Sequence, residues 1–254
     1  VDLPSLFPEF DAYARATTRL HPRPGAPTAA ESSIGGPLLW PADEPWPVCD
    51  DDHDNADVLL KPEAVRQWRR ILGDAWARTR RDEELQITDE ERATLPDLDE
   101  SEPHALARQP IATVPVAQLY RRDTPGFIGP ADTDLLQVLW CPLEHDTLEY
   151  CPRVFVRWRR AADVIDPLTA PPEPAVVEGG SYLPEPCVVH PEQVVEYPYA
   201  DFLPESLRER LAAWEETTGR SYQYDLSIAP GWKLGGFASW HLTDPLPMDC
   251  EACD

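Results

Sequence analysis

Two pairs of soft metal ligands stand at corresponding places near the two ends of this 254-residue sequence. Cys49 and His53 are separated by three residues, and Cys250 and Cys253 by two. Thiolate sulfur and imidazole nitrogen, four in all, are the usual ligands of a structural zinc ion, and both spacings let two side chains reach one ion from a tight turn. The sequences leading into the pairs are related. Residues 34–53 read IGGPLLWPADEPWPVCDDDH, and residues 234–254 read LGGFASWHLTDPLPMDCEACD. A shift of 200 positions lays Gly35, Gly36, Trp40, Pro45 and Pro47 on Gly235, Gly236, Trp240, Pro245 and Pro247. Equivalent corners of two duplicated halves can meet across a pseudo-symmetry axis. The expectation is a structural zinc held by Cys49, His53, Cys250 and Cys253, linking the head of the chain to its tail.

A second set of ligand types competes. Cys141 and His145 repeat the three-residue spacing, Cys187 and His190 are separated by two residues, and Cys151 lies nearby. These form either a second metal site or a set of buried thiols, since cysteine in an apolar strand is commonly a small core residue. Catalytic signatures are absent: there is no phosphate-binding glycine loop, no dinucleotide fingerprint, no H-E-x-x-H and no nucleophile elbow. The polar runs Glu144-His145-Asp146 and His190–Glu192 supply acid–base groups for an alternative reading, a hydrolase or transferase with a cleft between the halves.

Composition narrows the partners. Forty-six acidic residues against 22 basic ones give a formal charge of −24. Such a chain repels phosphate backbones, which argues against nucleic acid and points to a protein partner, a basic one in the sharper reading. No stretch approaches the ~20 apolar residues of a membrane span, and the first residues lack the basic and apolar regions of a signal peptide, so a cytoplasmic location is expected. In that compartment six cysteines read as ligands or thiols rather than disulfides. The sequence leaves the oligomeric state open.

The elements that must position these residues can be read in order. Residues 6–17 carry Phe7, Phe10 and Tyr13 at near-helical spacing, followed by a short strand over 18–21. Residues 50–103 hold 17 acidic and eight basic residues and read as an acidic, largely helical insertion. Pro62 opens a helix whose stripe is Val65, Trp68, Leu72 and Ala75–Trp76, and Thr88 with Glu91 forms a capping box. Strands are expected at 111–120, with Pro115 marking an edge or bulge, at 134–141, and at 153–159. In the last of these Val154, Val156 and Trp158 share one side, with Phe155 and the arginines on the other. A short strand at 163–165, a strand at 187–195 broken by Pro191, a helix at 204–217 ending at Gly219, and a strand at 222–229 complete the pattern. A further strand is expected after Asp254.

Five stretches resemble, in order, the YwqG-like family of bacterial proteins, in its high-GC Gram-positive branch: SSIGGPLLWPADEPWPVC at 32–49, VPVAQLYRRD at 114–123, TDLLQVLWCP at 133–142, PCVVHPEQVVEYP at 186–198 and LSIAPGWKLGGFASW at 226–240. The resemblance implies a single α+β domain over residues 1–254, internally duplicated in β-rich halves with a few peripheral helices. It carries no established catalytic residue. Together the observations predict a zinc-stabilised acidic module that binds another protein, of the immunity or regulatory type.

Overall fold

The computed structural model describes residues 2–53, 56, 58–98, 101–148 and 150–239. Its strands are β1 (Arg15–Arg19), β2 (Arg23–Pro24), β3 (Ser33–Ile34), β4 (Val48–Cys49), β5 (Ile111–Ala112), β6 (Val114–Tyr120), β7 (Leu135–His145), β8 (Cys151–Arg159), β9 (Cys187–Val188), β10 (Glu192–Glu196) and β11 (Lys233–Gly235). The helices are α1 (Leu3–Leu6), α2 (Pro62–Arg78), α3 (Asp89–Thr94) and α4 (Glu205–Thr218). All strand pairings among the described residues are antiparallel and helices accompany them, so the fold class is α+β. The chain divides into two compact units, a central one (Arg23–Arg121 with Gly129–Val188) and a terminal one (Val1–Pro22, Arg122–Ile128 and Val189–Asp254).

The central unit is built on a six-stranded sheet in the order β2-β9-β3-β6-β7-β8, with β4 and β5 pairing beside it. β7 is apolar on both faces, as a strand flanked on both sides by neighbours and covered above and below must be. Pro115 interrupts β6, and because β6 lies between β3 and β7 the interruption takes the form of a register shift between Pro115 and Ala117. β8 is an edge strand, and the side it turns inward carries Phe155 and the arginines. Arg159 lies 4.3 Å over the Trp40 ring and donates to both Glu44 oxygens at 2.6 and 2.8 Å. Arg153 pairs with Asp51. Val154, Val156 and Trp158 are left facing solvent.

α2 starts at Pro62 and packs Val65 against Leu60, Val114, Val177 and Leu183. Trp68 and Leu72 are only partly covered, and Trp76 is exposed. The capping box is present: Thr88 Oγ1 accepts from the Glu91 backbone N–H, and the Glu91 carboxylate accepts from the Thr88 N–H. Gly73, in α2, has nothing within 4 Å of where a Cβ would sit. Gly73→Ala is therefore expected to stabilise the protein by about 0.5–1 kcal/mol through helix propensity alone, measured as a raised urea midpoint.

The terminal unit contains a three-stranded sheet in the order β10-β1-β11 and a core of Leu3, Phe7, Phe10, Tyr197, Leu203, Leu207, Leu211 and Tyr222. The expected helix over 6–17 is corrected here. The chain makes α1, then a 3₁₀ turn at Pro8–Ala12, and then β1. Pro8 cannot continue the hydrogen-bond ladder of α1, and the β-branched pair Thr17–Thr18 is buried in the sheet. The aromatic residues of that stretch do cluster, Phe10 lying 5.2 Å from Tyr197 and 5.4 Å from Tyr222. The strand expected at 222–229 is also absent: residues Gln223–Ser227 form a π turn, held by Tyr222 Oη donating to the Pro198 carbonyl. Residues 161–163, where a strand was expected to begin, form a 3₁₀ turn. The break at Pro191 is real, and it sends β9 to the central sheet and β10 to the terminal one.

Gly35–Gly36 in the central unit and Gly235–Gly236 in the terminal unit each stand at the end of a strand in an antiparallel ladder. β3 pairs with β6, which pairs with β7; β11 pairs with β1, which pairs with β10. Gly35 has φ +62°, and a Cβ there would come 2.6 Å from the Glu185 carbonyl oxygen. Gly236 has φ +74°, and its Cβ would fall 2.1 Å from Glu196 Oε2. Glu196 is fully buried and accepts from the Ala229 and Phe237 N–H groups, both at 2.9 Å, and from Lys233 Nζ at 2.7 Å. Gly236→Ala should cost at least about 1–2 kcal/mol from the left-handed backbone alone, and more because the carboxylate must move. A urea midpoint equal to that of the parent would show that this corner is not rigid.

Candidate metal centre

Cys49 lies in β4, a two-residue strand whose register places it opposite Ile111. The chain then turns through Asp50, Asp51 and Asp52 and brings His53 back beneath it. His53 Nδ1 faces the Ala107 carbonyl at 3.2 Å. That acceptor fixes the ring with the proton on Nδ1 and leaves the Nε2 lone pair available, as metal-binding histidines require. Cys141 and His145 come from the far end of β7. Pro142 lies between them, and the β7–β8 register shifts between Trp140 and Glu144. This irregularity lets two residues four apart on one strand converge on a point.

The four residues form a buried cluster with every ligand atom within 4.8 Å of the others. None is more than 2% exposed. Cys49 Sγ is 3.3 Å from His145 Nε2 and 3.7 Å from His53 Nε2; Cys141 Sγ is 3.4 Å from His53 Nε2; the two Nε2 atoms are 3.1 Å apart. A tetrahedral ion about 2.0–2.1 Å from nitrogen and about 2.3 Å from sulfur would set its nitrogens about 3.3 Å apart and each nitrogen about 3.5 Å from sulfur. The donor set and its spacing therefore fit a zinc-sized ion. One atom departs from the usual pattern: His145 Nδ1 is buried with no hydrogen-bond partner. Asp51 Oδ2 instead lies 3.3 Å from His145 Nε2 and accepts from Arg153 Nε.

The electrostatics of the cluster follow from its burial. The hydrogen bond from Cys141 pulls the Cys49 thiol down to about 3, against burial, with further help from His53 and His145. Cys141, the donor in that bond, is pushed far up by the Cys49 thiolate and by desolvation. Burial would lower His53, but the Cys49 thiolate beside it wins and holds the imidazole above its ordinary value. These neighbours favour the anionic form of the buried Cys49 sulfur, and a cation shared by all four ligands would suit it.

Of the four residues expected at the metal, Cys49 and His53 come together as anticipated. Cys250 and Cys253 lie outside the described residues. Among the described residues Cys49 and His53 are joined instead by Cys141 and His145, the pair that the spacing also offers as a competing site. Cys187 pairs in β9, partly exposed, and Cys151 is exposed at the start of β8; neither belongs to the cluster. His190 is exposed, and its backbone N–H donates to Leu20. The signal that could have found the pairing was there: Cys49/His53 and Cys141/His145 have the same spacing.

The fold and the site define a class: an α+β protein with a buried two-cysteine, two-histidine cluster able to hold a metal ion. No protein-family model matches the chain, and no curated protein matches it. No helix among the described residues is long and apolar enough to cross a membrane.

Proposed function

We propose that this chain is a zinc-stabilised acidic cytoplasmic protein that works by binding another protein, in the manner of an immunity or regulatory module of the YwqG-like type. The observation that carries the zinc is the buried cluster of Cys49, His53, Cys141 and His145, in which the N–N distance and three N–S distances lie within a few tenths of an ångström of those around a tetrahedral ion. Four protein ligands leave such an ion no open position for water, which favours a structural role over a hydrolytic one. The ion would tie β4 and the loop after it to β7.

The binding role is supported by the charge of −24 and by the acidic character of residues 50–103. The glycine pair that ends a sheet strand in each unit, Gly35–Gly36 and Gly235–Gly236, supports the reading that they arose by duplication. We expect native capture with the full chain to recover a stoichiometric basic protein, and the yield to fall as salt rises, because exposed charges are screened over about 8–10 Å at physiological ionic strength. Capture that returns no stoichiometric partner, or one whose binding ignores salt, ends this reading while leaving the zinc centre untouched.

A further inference from the structure

Beside the metal centre opens a pocket of about 740 Å³. His53 and His145 form part of its wall, and the rest is dominated by the carboxylates of Asp51, Asp52, Glu144, Asp146 and Glu178. Its single cationic side chain, Arg153, is paired to Asp51. We propose that this pocket binds the guanidinium or ammonium group of a basic side chain from a partner protein. The inference rests on the proposed binding role and assigns it a place.

Three further observations point to such an occupant rather than to a second metal ion. Among the described residues the carboxylates do not gather their oxygens into a group that could ligate one ion; the sole such group is the cysteine–histidine cluster. Acidic groups spread around a large open pocket suit a cation that carries several N–H donors on a long stem. Tyr150, also in the pocket wall, is 67% exposed. It has φ +63° and is tied back by its N–H to the His145 carbonyl at 3.1 Å. An exposed aromatic ring fixed among carboxylates is a stacking surface for an incoming guanidinium. Finally, His145 lines the pocket and leaves Nδ1 without a partner. With Nε2 given to an ion in the cluster, Nδ1 would carry the proton and want an acceptor. The peptide carbonyl of a bound basic residue is an acceptor of that kind, reached once the pocket wall moves, since Nδ1 is closed to solvent.

The probe is the tripeptide acetyl-Gly-Arg-Gly-amide, titrated into the full chain as purified and followed by NMR shifts of the His145 ring and Tyr150 amide. Its neutral counterpart with citrulline in place of arginine is the control. The arginine peptide should bind at least tenfold more tightly than the citrulline one. The combined change Asp52→Asn with Asp146→Asn should weaken it at least tenfold, and Tyr150→Ala about threefold. These residues are exposed, and an unchanged melting temperature verifies that each variant is folded. Equal binding of the citrulline peptide, no binding of the arginine peptide, or undiminished binding by both variants overturns the proposal. Displacement of the peptide by calcium or magnesium at equal concentration, marking a divalent-cation pocket, does so as well. Zinc content measured on the same samples separates the two readings: a zinc-free protein that still binds the arginine peptide refutes the metal centre and leaves the pocket standing.

Discussion

Protein purified without chelator should contain one equivalent of zinc per chain, and Cys141→Ser should remove it while Cys250→Ser leaves it in place. Elemental analysis of the three proteins is the measurement. The expectation follows from a buried thiol pulled toward thiolate by its neighbours, two imidazoles whose Nε2 atoms lie 3.1 Å apart, and a second thiol in the same cluster. Cys141 holds its proton tightly in the metal-free cluster. Zinc uptake should therefore release a proton, detectable in a weakly buffered solution with an indicator dye. Because no such site exists in the unfolded chain, the binding free energy becomes folding free energy; even a contribution of about 5 kcal/mol would move the melting temperature by about 10–20 °C in a chain of this size. Stripping the ion with a strong chelator should produce that drop. Retention of zinc by Cys141→Ser together with its loss from Cys250→Ser would restore the head-to-tail site read from the repeat. Absence of zinc from the parent protein would remove the metal reading altogether.

Trp40→Ala should be the most damaging single change away from the cluster, costing about 3–5 kcal/mol. Trp40 is fully buried, donates from Nε1 to the Glu44 carbonyl at 3.0 Å, lies 5.1 Å from the Trp46 ring, and is covered by the Arg159 guanidinium at 4.3 Å. It packs with Leu38 and Leu139, so its removal would open a cavity directly under β7, the strand that delivers Cys141 and His145. Chemical unfolding followed by circular dichroism gives the loss, and a cost below about 1 kcal/mol would mean that the corner is not part of the core. The same network predicts a pH effect. The hydrogen bonds from Arg159 hold the Glu44 carboxyl below its ordinary value, against a smaller opposing effect of burial. The folded value lies under the unfolded one, so the stability it brings is present above about pH 4.3 and is lost as pH falls through the folded value. Arg159→Ala should therefore flatten the acid side of the stability curve, with a net cost beyond that arising from the lost cover on Trp40.

Much of the scaffold was legible because its causes are local. Pro62 at a helix start, the Thr88–Glu91 capping box and the left-handed Gly219 at the end of α4 act over a turn or two, and each lies where the residues place it. The errors arose where a local pattern met a longer-range demand. Phe7, Phe10 and Tyr13 have near-helical spacing, yet they serve an aromatic cluster with Tyr197 and Tyr222 that a 3₁₀ turn presents equally well. The alternation in β8 showed which residues share a side; it could not show that the arginine side turns inward, because that depends on Glu44 and Asp51 waiting there from distant segments.

By itself the sequence determined the ligand types, the corner that delivers Cys49 and His53, the acidic charge and the α+β class, since each depends on composition or on neighbours a few residues away. Which second pair joins the first was decided by tertiary structure. Two C-x3-H motifs separated by 92 residues share a point because β4 pairs with β5 beside a β7 whose register shifts between Trp140 and Glu144, and no spacing rule encodes the meeting of strands so far apart in the chain.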